Sequence, residues 1–272
     1  MSEARRHGAE GVSPGSDALG HLVAANLLRH LGDHPAPMGC PRLHAISVLS
    51  YGGTMLIAHL GHSAVLVQTD AARILFDPGA FSDEWHGLTD LDAILVTHLH
   101  PDHLDPEHVP ALLAANPDAK VFVEPSILGQ VADGTLPALG HARALAAEEQ
   151  TTVGDLLITG VGGRHAVIHR DLPQIGNVGY VLRSEGQPTF FHPGDAYDTA
   201  PGGVDVLAMP AYGPWAAMKE TIDFVRAVGA LEGFAIHDEL LSDRGRGLIR
   251  NRVGEMTSTR LVDLRGGAGH EF

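Results

Sequence analysis

Short apolar runs, separated by polar or glycine-containing breaks, dominate the chain from about residue 55 onward. Two of these runs, Val65–Thr69 and Arg73–Phe76, are joined by Asp70–Ala72, and this pattern predicts a β-hairpin. The run after Asp92 is uniformly apolar as far as Val96, which is typical of a strand buried on both faces. Further runs of strand type lie at residues 121–123, 155–161, 178–182, 189–191 and 204–209.

Segments with helical spacing lie between these strands. Ile222, Val225 and Val228 share one face of a predicted helix that begins at Trp215. Before another predicted helix, Asp105 can act as the cap, with Pro106 at the first helical position. The predicted helices span residues 107–115, 125–131, 215–228 and 242–253. Strands and helices that alternate along one chain predict the α/β class.

The turn that follows the 92–96 run concentrates side chains able to bind a metal. It contains His98, His100, Asp102 and His103. Core packing does not call for such a cluster, whereas neutral imidazoles and carboxylates are ligands of divalent cations. His98 and His100 are two residues apart and point to the same side of an extended chain, while Asp102 and His103 follow the turn at Pro101. One pair can therefore face one ion and the other pair a second ion.

Three later residues occur in the same context, each after an apolar run of strand type. They are His165, Asp195 and His237. Ligands gather at the carboxyl ends of strands in α/β proteins, so we expect these three side chains to complete the ligand set.

The order of these motifs resembles that of the metallo-β-lactamase superfamily. The resemblance covers residues 55–265 and rests on His-x-His-x-Asp-His, a distant His, an Asp in a Gly-Asp turn and a late His. It implies a four-layer αβ/βα sandwich, in which two mixed β-sheets are flanked by helices. It also implies that His98, His100 and His165 bind a first metal ion. The second ion would be held by Asp102, His103 and His237, with Asp195 bridging both.

The upstream run Ile57–Val67 resembles the opening strand of the branch that includes ascorbate-6-phosphate lactonase-like proteins, in which a Gly-His pair and an Asp-Pro turn also occur. Asp77 would then orient a ligand histidine, although an Asp before a proline is also an ordinary turn residue. His62 either lines the pocket or is a buried structural residue. His192 and His169 are interpreted as structural or rim residues. Trp215 could stack on a substrate, but contact with the core is the favoured interpretation.

The resemblance implies a mechanism in which two divalent ions share a bridging hydroxide, with Asp102 and Asp195 as catalytic carboxylates. Five imidazoles favour zinc, while two carboxylates leave manganese or iron open. The expected substrate is a small ester, lactone or phosphoester. Asp195 argues against lactam hydrolysis, because the true β-lactamases lack an aspartate at the matching position. A phosphodiesterase of the same superfamily and a non-catalytic metal-binding or sensing protein are the alternatives.

Composition narrows the possible partners. Among the 272 residues, 33 Asp and Glu outnumber 18 Lys and Arg, and the formal net charge is −15. Nucleic-acid binders usually carry a basic face, so a small-molecule substrate is expected and nucleic acid is not. One cysteine, Cys40, fits a reducing compartment, and neither a signal peptide nor a membrane-spanning run is evident, so a cytoplasmic location is expected. The oligomeric state is left open.

The domain organisation follows from the distribution of the motifs. Residues 1–54 are interrupted by proline and glycine and predict a poorly ordered extension or a misassigned start, with a helix that packs on the domain or covers the site as the alternative. Residues 55–265 carry every motif and form the predicted hydrolase domain. Residues 266–272 predict a frayed tail.

Overall fold

The computed structural model describes residues 54–272, so the extension predicted for residues 1–54 lies almost wholly outside the described part. Two seven-stranded sheets organise this part of the chain. The first sheet has the strand order β14-β1-β2-β3-β4-β5-β6, antiparallel from β14 to β3 and parallel from β3 to β6. Its strands are β1 (Leu56–His59), β2 (Val65–Gln68), β3 (Arg73–Phe76), β4 (Ala93–Val96), β5 (Lys120–Val123), β6 (Arg143–Ala144) and β14 (His270–Glu271).

The second sheet has the order β13-β12-β11-β10-β9-β8-β7 and is mixed in the same way. Strands β7 to β10 are antiparallel, and β10 to β13 are parallel. The strands are β7 (Gln150–Val153), β8 (Leu156–Gly162), β9 (Val178–Arg183), β10 (Phe190–His192), β11 (Val206–Pro210), β12 (Glu232–Ile236) and β13 (Arg260–Val262).

Three apolar clusters separate four layers. The cluster between the sheets joins inward-facing side chains of both, and the rings of Phe76 and Phe190 meet edge to face there, 5.5 Å apart. A second cluster packs the outer face of the first sheet against helices α1 (Val109–Ala115) and α2 (Pro125–Ala132). A third packs the second sheet against α3 (Met218–Val228) and α4 (Asp243–Met256). The predicted four-layer sandwich is confirmed.

Local differences from the predicted elements have clear causes. Helix α1 begins at Val109 rather than at residue 107, because the Asp105 carboxylate accepts the backbone N–H groups of Glu107 and His108 and holds a turn there. The tail was predicted to fray from residue 266, but His270–Glu271 forms β14 against β1 and Phe272 packs against the core. That pairing joins segments far apart in sequence, and no local pattern encodes it.

The sheet topology brings the motif residues together. His98 follows β4 and His237 follows β12, both of which are parallel to a neighbouring strand. The carboxyl ends of these strands meet at one edge of the sandwich, where the turns after β8 and β10 also lie.

Candidate metal centre

Two groups of potential ligands lie at this edge of the sandwich. In each group, one ligand atom per residue lies within 4.8 Å of the others. The first group is His98, His100, His165 and Asp195. The second group is His62, Asp102, His103 and His237. All seven residues predicted as ligands therefore lie in these two groups, together with His62, and their binding of two ions stays a prediction.

The imidazole rings of the first group lie close to one another. The ring centres of His98 and His165 are 4.9 Å apart, and those of His100 and His165 are 4.7 Å apart. The Nε2 atom of His165 lies 3.3 Å from Oδ2 of Asp195. His165 donates from Nδ1 to the carbonyl of Ala166 at 2.6 Å, and this bond leaves Nε2 facing the group.

The second group contains His62, which had been predicted only as a pocket or structural residue. Its Nε2 lies 3.0 Å from Oδ2 of Asp102, and its ring packs 4.1 Å from that of His237. His62 occupies the tight turn between β1 and β2 with a φ of 50°. The run Ile57–Val67 was compared as a whole with an opening strand of the family, whereas the structure divides it into β1 and β2 with His62 in the turn between them.

Asp195 lies between the two groups. Its Oδ1 is 3.2 Å from Nε2 of His103, and its Oδ2 is 3.0 Å from Nε2 of His237 and 3.3 Å from Nε2 of His165. The carboxylate is buried, with 3% of its side chain exposed. A single carboxylate that reaches histidines of both groups has the placement expected of a bridge between two ions.

Asp77 orients imidazoles of both groups. Its Oδ2 accepts from Nδ1 of His103 at 2.7 Å and from the hydroxyl of Thr97 at 2.7 Å. The same hydroxyl lies 3.0 Å from Nδ1 of His98, and its oxygen can accept a hydrogen bond from that N–H. Both imidazoles then present Nε2 to the site. Of the two interpretations of Asp77, the structure supports the orienting carboxylate.

Backbone conformation brings these loops close together. Three residues at the site that are not glycine have positive φ: His62 (50°), Asp77 (44°) and His237 (55°). The backbone N–H of His237 donates to the carbonyl of His62 at 2.7 Å and fixes one turn against the other. At Gly79, a Cβ atom would overlap the backbone of Asp102, so only glycine lets the Asp77 turn approach the ligand loop.

Trp215 contacts both the core and the site. Its ring lies 4.9 Å from that of Tyr197, which packs against the third apolar cluster, but the side chain is only partly buried and also lies against the site. The indole N–H donates to Oδ2 of Asp195 at 3.0 Å, and the ring meets those of His165 and His237 at 6.0 Å. The residue precedes α3 rather than lying in its first turn, which frees the ring to turn toward Asp195.

The two remaining histidines follow the prediction. His192 is fully buried, stacks on Phe76 and contacts the carbonyl of Ser63 at 3.1 Å, so it has a structural role. His169 is exposed, 3.5 Å from Asp171 on the loop after β8.

The pKa values separate the imidazoles into two kinds. Burial lowers the pKa of His62 and of His100 to about 4, and burial also lowers the pKa of His98 well below its usual value. These three imidazoles are therefore neutral near pH 7, the form that binds a cation.

The other kind is paired with carboxylates. Burial alone would lower the pKa of His103, but the charges of Asp195 and Asp77 outweigh it and raise that pKa well above its usual value. In the same way, Asp195 and Asp102 outweigh burial at His237 and raise its pKa to about 9. These imidazoles carry protons near neutral pH, and metal binding would release them.

The donor set fits divalent cations, as unpartnered atoms show. Both ring nitrogens of His237, Nε2 of His165 and Oδ1 of Asp195 are buried without a hydrogen-bond partner. Carboxylate oxygens lie 3.0–3.4 Å from some of these nitrogens, but not in directions that make hydrogen bonds. Leaving such atoms unpaired costs about 1–3 kcal/mol each, which a cation between them would offset. Buried imidazole and carboxylate atoms that converge in this way suit Zn²⁺ and similar ions.

Comparison with known proteins agrees with this geometry. Residues 56–231 match the family described as "Beta-lactamase superfamily domain". The protein Rv0786c of Mycobacterium tuberculosis is 38% identical over 206 residues, which are 75% of this chain and 94% of that protein.

Solved structures share the fold. YhfI from Bacillus subtilis, described as a metallo-β-lactamase fold protein, superposes with a TM-score of 0.63 at 16% identity, over 80% of this chain and 100% of YhfI. Igni18, a metallo hydrolase from Ignicoccus hospitalis, gives a TM-score of 0.61 at 15% identity, over 80% of this chain and 98% of Igni18. By its sequence match, its two-sheet sandwich and its paired ligand groups, the chain belongs to the metallo-β-lactamase superfamily of metal-dependent hydrolases.

Proposed function

We propose that this protein is a binuclear metal-dependent hydrolase of a small ester, lactone or phosphoester. One observation carries the proposal: the buried carboxylate of Asp195 reaches Nε2 atoms of both ligand groups within 3.3 Å. A single-ion site would not need a carboxylate in this position. The Gly61-His62 pair and the Asp77-Pro78 turn support a place near the ascorbate-6-phosphate lactonase-like branch.

Each side chain has a distinct task in this proposal. His98, His100 and His165 would hold the first ion, and Asp102, His103 and His237 the second, with Asp195 shared between them. His62 fixes Asp102 from the side, through the 3.0 Å contact with Oδ2. Bound divalent ions would supply an activated water molecule and a positive charge beside the scissile bond.

The proposed reaction is a hydrolysis. The oxygen of water adds to the carbonyl carbon or the phosphorus, the bond to the leaving oxygen breaks, and that oxygen takes up a proton. Asp102 and Asp195 are ionised in the metal-free protein. Burial would raise the pKa of each, but the histidines that contact them outweigh burial and hold both pKa values well below the usual range.

The donor set supports zinc as the resident metal, because imidazole suits Zn²⁺ and the carboxylates are few. Manganese and iron also bind carboxylates, so both metals are included in the reconstitution experiment below. The net charge of −15 weighs against nucleic acid as a substrate. Among the described helices, none is both long and apolar enough to cross a membrane.

A substrate panel tests the proposal. The protein is reconstituted separately with Zn²⁺, Mn²⁺ and Fe²⁺ and assayed with p-nitrophenyl acetate, γ-butyrolactone and bis(p-nitrophenyl) phosphate. We expect metal-dependent turnover of an ester or lactone, its loss in His98→Ala, and its retention in Asp92→Asn, which changes an exposed carboxylate bonded to the N–H of Arg73.

The outcomes separate the candidate functions. Turnover confined to the phosphodiester would favour the phosphodiesterase alternative. Two tightly bound ions with no turnover of any substrate would refute the hydrolase and favour a metal-binding or sensing role. Turnover that His98→Ala leaves unchanged would come from another protein in the preparation.

A further inference from the structure

We infer that the site binds substrates through a short hydrocarbon group, held in an apolar groove beside the first ligand group. This inference rests on the proposed function and names the chemical class of its substrate. The groove is a small depression that opens to solvent. His100 and His165 form one end of it, so the groove is continuous with the candidate metal centre.

Six of the nine residues that line the groove are apolar, while His100, His165 and Gln174 contribute polar atoms. Val167, Ile168, Leu172 and Pro173 contribute side chains to it, and no charged residue lies among the described lining residues. Val167 is 60% exposed, Ile168 37% and Leu172 38%. Isolated exposed apolar residues are ordinary, but here three of them occur on one loop next to catalytic ligands. Apolar surface kept in that position indicates a ligand that covers it.

The loop is held by the same bonds that position the site. The backbone N–H of His165 donates to the carbonyl of Ile175 at 3.0 Å, and Nε2 of Gln174 donates to the carbonyl of His165 at 2.7 Å. The N–H of Ala166 donates to the carbonyl of Asp195 at 2.8 Å. The groove is therefore formed together with the ligand groups, and binding requires little ordering of the loop.

The charges nearby distinguish a hydrocarbon from a phosphorylated sugar or a nucleotide. Arg164 and Arg170 lie on the same loop, but both side chains are exposed and neither lines the groove. A distal phosphate or carboxylate is commonly recognised by a guanidinium or ammonium group, and none of the described lining residues offers one. The occupant that fits is the alkyl or acyl portion of the substrate, with the scissile bond placed toward His100 and His165.

The test measures binding separately from turnover. Acetohydroxamate and hexanohydroxamate present the same metal-binding group on chains of different length. Their dissociation constants for the zinc-loaded full-length protein are measured by calorimetry. A buried methylene tightens binding roughly fourfold, so we expect hexanohydroxamate to bind at least about tenfold more tightly.

Variants locate the effect. Leu172→Asn and Val167→Thr preserve side-chain size and should remove most of the chain-length preference, while acetohydroxamate binds as before. The matched control is Leu231→Asn, since Leu231 is 69% exposed on the turn before β12, at the opposite end of that strand from His237. This variant should keep the full preference. In p-nitrophenyl ester assays, Leu172→Asn should raise KM for the hexanoate and leave KM for the acetate unchanged.

The possible failures are distinguishable. Equal affinity for the two hydroxamates, or a preference that Leu172→Asn and Val167→Thr both retain, would overturn the groove assignment. Self-association that Leu172→Asn abolishes would assign this face to a second copy of the chain and overturn it as well. A chain-length preference without turnover of any ester, lactone or phosphoester would sustain the groove and refute the proposed hydrolase.

Discussion

Replacing Asp77 by asparagine tests how the site is organised, because this carboxylate orients an imidazole of each ligand group. In the wild type, Oδ1 accepts from the backbone N–H of Thr97 at 2.8 Å, and Oδ2 accepts from Thr97 and from Nδ1 of His103. Asparagine can keep the first bond with its carbonyl oxygen. Its NH₂ group then faces two groups that had donated to Oδ2.

The structure sets the size of the effect. Asp77 and His103 are both fully buried, so solvent cannot satisfy a donor that loses its acceptor. Each unsatisfied donor costs about 1–3 kcal/mol, and two of them would remove roughly 2–6 kcal/mol of a stability that is typically 5–15 kcal/mol. Loss of the outer partner of a ligand histidine typically weakens metal binding about 10- to 100-fold. Since His98 depends on Asp77 through Thr97, we expect both ions to bind more weakly.

Two measurements check this prediction. Zinc affinity is obtained by competition with a chromophoric chelator, and the free energy of unfolding by urea titration in EDTA. Asp92→Asn is the control, since it makes the same charge change at an exposed carboxylate that accepts one backbone N–H. Asp77→Asn with wild-type zinc affinity at both sites would show that Asp77 does not orient the ligands. A loss of stability in EDTA with unchanged zinc affinity would show that Asp77 has only a structural role.

The remaining predictions concern the ligand groups directly. Protein purified without chelator should contain close to two divalent ions per chain by elemental analysis. The variants His98→Ala and His237→Ala should each lower that number toward one. A wild type that binds no transition metal after reconstitution would refute the candidate metal centre. Asp195→Ala should reduce turnover by orders of magnitude while the fold persists by circular dichroism, because it removes the only carboxylate shared between the two described groups; wild-type turnover would rule out a bridge. Trp215→Phe removes the indole donor to Asp195 and should lower kcat about tenfold. Tm should change little, since the ring is partly exposed. An unchanged kcat with a large fall in Tm would show that Trp215 is a packing residue.

The ligand groups were largely predictable from sequence because their signal is local. A metal-binding residue directly after an apolar run marks the end of a strand, and parallel strands bring such ends to one edge. This pattern alone predicts that His98, Asp195 and His237 lie close together, as they do in the structure. The strands were predictable for the same reason, since short apolar runs mark the hairpin of β2 and β3 and the buried strand β4.

What sequence missed depends on tertiary structure. The place of His62 beside Asp102 requires a left-handed turn that a lone Gly-His pair does not specify. Trp215 has the apolar character of a core residue, and only the position of Asp195 gives its N–H an acceptor. Strand β14 exists because β1 has a free edge, and that edge appears only once the sheet is assembled.

The two sheets contribute different residues to the candidate metal centre, so the packing between the sheets affects its geometry. His98 to His103 extend from the first sheet, while His165, Asp195 and His237 extend from the second. The distance between the sheets is set by interior side chains such as Phe76 and Phe190, which touch neither ligand group. Substitutions of those rings would change the separation of the two ligand groups. In the proposed hydrolase, a substitution in the interior of the sandwich would therefore change catalysis from a distance, with every ligand left in place.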